Sequence, residues 1–315
     1  MKVCFGIDIG GTTVKIGLFS EKGEMLCRWE IPTRKEREPA GLLGDVKDSL
    51  EACMAERKIG KGDVLGIGMT APGPVTADGV LQNAVNIGWG RVDLAAEAEK
   101  IIGISPVRIG NDARVAALGE AAFGAGREAE SMLMVTLGTG VGGGVVLNRK
   151  ILMGTSGVAG EIGHMTIDPY ETESCGCGKK GCLEQYAAAP GMVRVAERFL
   201  QERKEDSILR QAEKITAKDL WEAAKSGDRL ADEITDFVCA RLGAAIANAI
   251  YLVDVEGIVI GGGVSAAGQF LLEKVEKAYR ERVFVHSRNK KFALAELGND
   301  AGIMGAAALI LWAAE

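Results

Sequence analysis

Three cysteines, Cys175, Cys177 and Cys182, fall within eight residues of the stretch ETESCGCGKKGCLEQ, and His164 stands eleven residues before the first of them. Thiolates and an imidazole brought together suit a tetrahedral divalent metal. Two of the thiols could instead pair as a disulfide, or the cluster could be incidental. The chain has seven cysteines, an odd number that cannot all pair within it. Cys4, Cys27, Cys53 and Cys239 lie in apolar segments and read as core thiols. The other histidine, His286, carries no pattern and reads as surface.

Glycine supplies a second kind of chemistry. DIGGTTVKIGL (8–18) and LGTGVGGGVVL (137–147) look like one device used twice. A glycine turn between strands leaves N–H groups free and lets a phosphate approach the backbone. Thr12, Thr13 and Thr139 add hydroxyl donors. One such turn alone is a tight hairpin; two in matching places point to a shared ligand. GTGVGG formally matches G-x-G-x-x-G, but a strand follows it, whereas a dinucleotide fingerprint needs a helix. No P-loop motif occurs. A third cluster, Gly261-Gly262-Gly263, falls between a strand and a helix.

Carboxylates complete the set. Asp8 directly precedes the first turn. Asp112 follows Asn111 where the strand PVRIG gives way to the helical ARVAALGEAAFG. Taken alone, an aspartate there is a helix N-cap, and Glu184 a surface charge beside the cysteines.

The elements that position these residues read as mixed α/β. Residues 3–9, 14–20 and 24–31 predict an antiparallel meander. Leu42, Leu43, Val46, Leu50, Cys53 and Met54 then recur at helical spacing. VLGIGMT and PVRIG predict further strands. SMLMVTL, VVLN and KILM open the second half in the same order. Later come a helix over 229–252, the strand GIVIGGG, a helix over 269–282 and an apolar helix over 301–313.

At 315 residues and 47% hydrophobic, the chain is long enough for two domains with sizeable cores. Lys plus Arg number 37 against 43 acidic residues, a formal charge of −6. That balance argues against a nucleic-acid binder, which needs a basic face. Val3–Ile7 is too short an apolar run for a signal peptide. The longest apolar stretch, 242–263, is interrupted by Asn248, Asp254 and Glu256, so no membrane span is expected. The expected setting is cytoplasmic and reducing, where disulfides rarely persist.

DIGGTTVKIGL resembles the first phosphate loop of sugar kinases in the actin, hexokinase and heat-shock ATPase superfamily. GEIGHM with CGCGKKGCLE resembles the signature of the ROK family of bacterial kinases and repressors, and the likeness runs from Asp8 to the last helix. The resemblance implies a two-domain actin-like ATPase (ribonuclease H-like) fold with a duplicated βββαβα core. Its expected domains are 1–113, 114–300 with the zinc and second phosphate loops, and a terminal helix, 301–315, packing back on the first.

The same resemblance implies ATP-dependent phosphorylation of a hexose at its 6-hydroxyl, with glucose the leading substrate and N-acetylmannosamine or N-acetylglucosamine the alternatives. Asp112 becomes the general base. Gly73, Asn86, Asn111, Glu161, His164 and Glu184 contact the sugar. Gly10, Gly11, Thr12, Thr13, Lys15, Gly138, Thr139, Gly140, Gly142, Gly143, Gly262 and Gly263 bind the nucleotide, and Asp8 orients Mg²⁺. His164, Cys175, Cys177 and Cys182 become ligands of a structural Zn²⁺, a closed set with no open position for chemistry. A homodimer or homotetramer is expected. The alternative of another class is a sugar-responsive repressor, which resembles this architecture with a DNA-binding domain in front; Asp8 lies too near the first residue to leave room for one.

Overall fold

Alternation along the first strand decides the layering of the N-terminal region. Phe5 and Ile7 face one way, with Cys4, Gly6 and Asp8 the other, as a period of two requires. The computed structural model describes residues 1–34, 38–84 and 87–312. It divides into two units, one of residues 1–130, 144–159 and 297–315, the other of 131–143 and 160–296.

In the first unit β1 (Val3–Ile9), β2 (Thr13–Ser20) and β3 (Met25–Pro32) form the expected meander. Helix α1 (Pro39–Arg57) leads to β4 (Val64–Ala71), the short pair β5 (Val80–Leu81) and β6 (Val92–Asp93), then α2 (Leu94–Ile102), β7 (Val107–Asn111) and α3 (Asp112–Phe123). The sheet order is β3-β2-β1-β4-β7, with β4 parallel to both β1 and β7. Phe5, Ile7, Leu43, Val46 and Leu50 are buried in one cluster.

Residues 131–296 carry β8 (Ser131–Leu137), β9 (Val141–Leu147), β10 (Lys150–Ile151), α4 (Glu184–Ala187), α5 (Ala189–Glu202), α6 (Ala217–Lys225), α7 (Arg229–Val253), β11 (Gly257–Gly261), α8 (Gln269–Arg280) and β12 (Lys291–Leu294). The order β10-β9-β8-β11-β12 repeats that of the first sheet, the mark of a duplicated core. Strand β9 starts in the second unit and runs on into the 144–159 segment of the first, where its end pairs with β10. The third strand expected at KILM shrinks to two residues. Among the described residues α7 is the one helix long and apolar enough to cross a membrane, and twelve of its 25 residues, from Leu230 to Ile250, are buried.

Helix α9 (Ala301–Leu311) belongs to the first unit and packs on the face of β1 and β4 opposite Phe5. Glycines make this contact. A Cβ on Gly6 would lie 2.1 Å from the Ile303 carbonyl oxygen, and one on Gly68 1.7 Å from that of Ala306. Between helices, a Cβ on Gly305 would lie 1.8 Å from the Val115 oxygen and one on Gly119 2.5 Å from that of Ala301. This backbone-to-backbone seam corrects the expected boundary at 113: α3 is bound to α9 and falls within the first unit. A second correction concerns the cysteines. Cys4 and Cys239 are buried, but Cys27 and Cys53 are only half-buried.

Candidate functional site

In the first unit Asp8 ends the line of β1 side chains that face α9. Its carboxylate accepts a hydrogen bond from the Thr70 hydroxyl on β4. Gly302, in the first turn of α9, leaves room for it, since a Cβ there would lie 2.7 Å from the Asp8 carboxylate. The helix N-terminus favours that charge. In the adjoining turn the Gly10 N–H donates to the Thr13 carbonyl at 3.0 Å. Thr33 braces the turn from β3's end, its hydroxyl donating to Gly10 O at 2.7 Å and its N–H to Thr12 O at 2.8 Å. Lys15 donates to the Asn299 carbonyl at 3.2 Å.

The junction of β7 and α3 carries the Asn111-Asp112 pair. Asn111, not Asp112, is the N-cap: its Oδ1 accepts the Arg114 N–H at 3.3 Å. The cap reading of Asp112 is therefore overturned, because Asn111 has the extended backbone a cap needs. Asn111 Nδ2 donates to Asp112 Oδ1 at 2.9 Å and to the Gly73 carbonyl at 3.1 Å. The Ala113 N–H also reaches Asp112 Oδ1, at 2.8 Å. The exposed Asp112 carboxylate is thus oriented by two donors. Gly73 has φ +126°, and a Cβ there would lie 2.1 Å from the Asn83 oxygen, so only glycine brings the PGP loop against Asn111. Asn86 lies outside the described residues.

In the second unit the turn at 138–140 closes through Gly138 N–H to the Gly140 carbonyl, 2.9 Å, and Gly138 O accepts from Ala189 at the start of α5, 2.8 Å. Beside it is a cavity of about 530 Å³ lined by Gly138, Thr139, Thr216, Trp221, Lys225 and Gly263, among others. Gly262 has φ +84°, and a Cβ would lie 2.4 Å from Leu137 O. It is the residue that lets the β11 turn lie flat on the end of β8. The glycines were legible in the sequence; Thr216, Trp221 and Lys225 were not, because α6 shows only ordinary amphipathic spacing.

Glu161 and His164 lie at a short 3-10 turn over Ile162–His164. Gly163 presses this turn onto β9, where a Cβ would lie 2.1 Å from Val141 O. His164 Nδ1 is 4.0 Å from Cys175 Sγ, and Cys177 Sγ is 3.7 Å from Cys182 Sγ. The four ligand atoms lie within 4.8 Å of one another. Around a tetrahedral zinc with Zn–S near 2.3 Å, sulfurs stand about 3.8 Å apart. The donors fit the ion in type, number and spacing. Burial and the neighbouring thiols push Cys182 up to about 12, so its thiolate is disfavoured until a cation joins it. Gly181 (φ +72°) turns the loop back, with no room for a Cβ, 1.8 Å from Asp168 O.

Glu184 has a contact the sequence did not suggest. Its Oε2 accepts the Val141 N–H at 3.0 Å, in the second glycine turn, while Oε1 lies 3.6 Å from Cys175 Sγ. It links the cysteine loop to the glycine turn. Behind the loop, buried Glu171 accepts from Arg194 at 2.9 Å and Tyr186 at 2.8 Å, and Arg241 lies over the Tyr186 ring. Burial works to raise Glu171, but the bonds from Arg194, the Glu173 N–H and Tyr186 outweigh it and hold the carboxyl at about 2.

Comparison with known proteins is consistent along the whole chain. The glucokinase of Halalkalibacterium halodurans is 42% identical over 310 residues, which cover 97% of this chain and 94% of that protein. The ROK hexokinase of Thermus thermophilus superposes with a TM-score of 0.82 at 31% identity, covering 97% of both chains. A ROK-family glucokinase of Streptomyces griseus, solved in complex with glucose and AMPPNP, is 34% identical with a TM-score of 0.72 over 98% of each. The family model described as ROK family matches residues 4–313, and on that match and those likenesses the protein belongs to the ROK family.

Proposed function

We propose that the protein is a glucokinase that transfers the γ-phosphoryl group of ATP to the 6-hydroxyl of glucose. The observation that carries this reading is the Asn111-Asp112 junction: a capping asparagine tied to Gly73 that also orients an exposed aspartate. The 42% identity to a glucokinase supports glucose as the sugar.

Phosphoryl transfer asks the protein chiefly for positioning and a proton acceptor. Asp112 accepts the proton of the 6-hydroxyl as that oxygen bonds to phosphorus and the bond to ADP breaks. Asn111 and the Gly73 loop hold neighbouring hydroxyls, and Glu161, His164 and Glu184 are the further sugar ligands that the ROK-family resemblance implies. The cavity of the second unit takes the adenosine, with Thr139 and the adjoining 138–140 turn on the phosphates. Asp8 would hold Mg²⁺, and that ion, when bound, supplies charge neutralisation on the phosphates. His164, Cys175, Cys177 and Cys182 would hold a structural Zn²⁺, whose charge keeps the thiolates together and the loop folded.

A coupled assay over a panel of hexoses, with ATP and polyphosphate as donors, tests the reading. Glucose with ATP should give the highest kcat/KM. A higher value for an N-acetylhexosamine would leave a sugar kinase but remove the glucose assignment.

A further inference from the structure

The first unit contains another cavity, of about 640 Å³, and none of the residues assigned above line it. Half-buried Met153, Leu309 and Trp312 form an apolar wall. Around the rim stand the exposed cations Arg108, Arg149 and Lys150, with Asp78 the one acid in the lining. Three cations against one acid is the reverse of the chain's net charge of −6.

The rim is also held in an unusual way. The β9–β10 turn places Asn148 (φ 50°) and Arg149 (φ 60°) both in the left-handed region. Two-residue hairpins of this kind favour Asn-Gly, and an arginine second is strained. The turn carries the Arg149 guanidinium 5.7 Å from the centre of the Trp312 ring.

We propose that this cavity is a regulatory site for a small organic phosphate. Arg108 and Lys150 hold the phosphate, and the carbon skeleton lies on Trp312, Leu309 and Met153. A phosphate suits two cations, one of them a forked guanidinium. Both sides of the cavity lead to one hydrogen bond. Arg108 is three residues before Asn111 on β7. Asp78 lies in the turn that Thr76 closes onto Val80 (3.0 Å), and this turn continues back to Gly73. The Asn111–Gly73 bond, 3.1 Å, joins the two routes. Occupancy of the cavity therefore changes sugar affinity, and by linkage the sugar changes phosphate affinity. The coupling, though not the site, rests on the reading of Asn111 and Gly73 as sugar ligands.

Thermal unfolding of the full chain with glucose 6-phosphate, 3-phosphoglycerate or inorganic phosphate tests the site without reference to activity. At least one organic phosphate should raise the midpoint by about 2–5 °C at roughly ten times its Kd. Inorganic phosphate at the same concentration should give less, because it leaves the apolar wall uncovered. In Arg108→Glu/Lys150→Glu, and in Lys150→Glu alone, that rise should vanish while the rise caused by glucose persists. A rise that survives both variants belongs to the active site and overturns the proposal. No rise with either organic phosphate overturns it too, as does an equal rise with inorganic phosphate. If the site stands and glucose is not phosphorylated, the function reading has failed and the site has not.

Discussion

At the scale of the residue, Asp112 is the group whose replacement should be most specific. Asn111 and the Ala113 N–H hold its Oδ1 at 2.9 and 2.8 Å. In Asp112→Asn the amide oxygen can still accept from these donors, so the junction keeps its shape but loses the proposed proton acceptor. General-base catalysis contributes about 10²–10⁴-fold, and kcat should fall within that range or further. Calorimetry should find glucose affinity little changed. Near-normal turnover in this variant would remove Asp112 from the mechanism. Glu184 makes a contrasting case: its Oε2 receives the Val141 N–H of the glycine turn. Glu184→Ala should raise the KM for ATP as well as that for sugar, and an unchanged KM for ATP would show that the bond does not brace the turn.

At the scale of the element, the seam of α9 on the first sheet depends on absent side chains. Gly68→Ala puts a methyl 1.7 Å from the Ala306 oxygen. Backbone cannot rotate away as a side chain can, so the cost should reach at least the roughly 1–3 kcal/mol usual for overpacking. The melting temperature should drop by several degrees, and an unchanged midpoint would refute the seam. The loop behind the cysteines invites a pH experiment. Glu171 is held at about 2 against an ordinary 4.5. A depressed carboxyl stabilises the fold fully above its unfolded value, and that contribution is lost as pH falls from about 4.5 towards 2. The stability gap between wild type and Glu171→Gln should be widest above pH 5, on the order of 3 kcal/mol, and close as acid is added. A gap that stays constant over that range would assign the variant's loss to packing.

For the whole molecule, the proposed zinc site predicts a dependence of folding on an ion. Three thiols and an imidazole within 4.8 Å would complete a tetrahedral ligand set on this glycine-rich loop. Protein purified without added metal should carry about one zinc per chain. Stripping it with a chelator should lower the melting temperature and raise the KM for sugar, since Glu161 and His164 share the 3-10 turn beside the cluster. Cys177→Ser should reproduce both effects. Folded, active protein with no bound metal would refute the assignment.

The sequence by itself determined what rests on short-range signals. The meander, the two glycine turns and the cysteine cluster show in periodicity or close spacing, because their partners lie within a few residues or a single loop; the roles of Asn111-Asp112 and of His164 came only with the resemblance to a family. Tertiary structure alone decided the rest. Glycines Gly6, Gly68 and Gly119 looked like ordinary residues of strands and a helix until α9 arrived from the far end of the chain to lie against them. The same approach moved α3 into the first unit. Thr216 and Trp221 became cavity walls only when α6 met the β11 turn, and Glu184 became a brace only when the cysteine loop met β9. Each of these depends on backbone distances between segments remote in sequence, which no local pattern of residue types encodes.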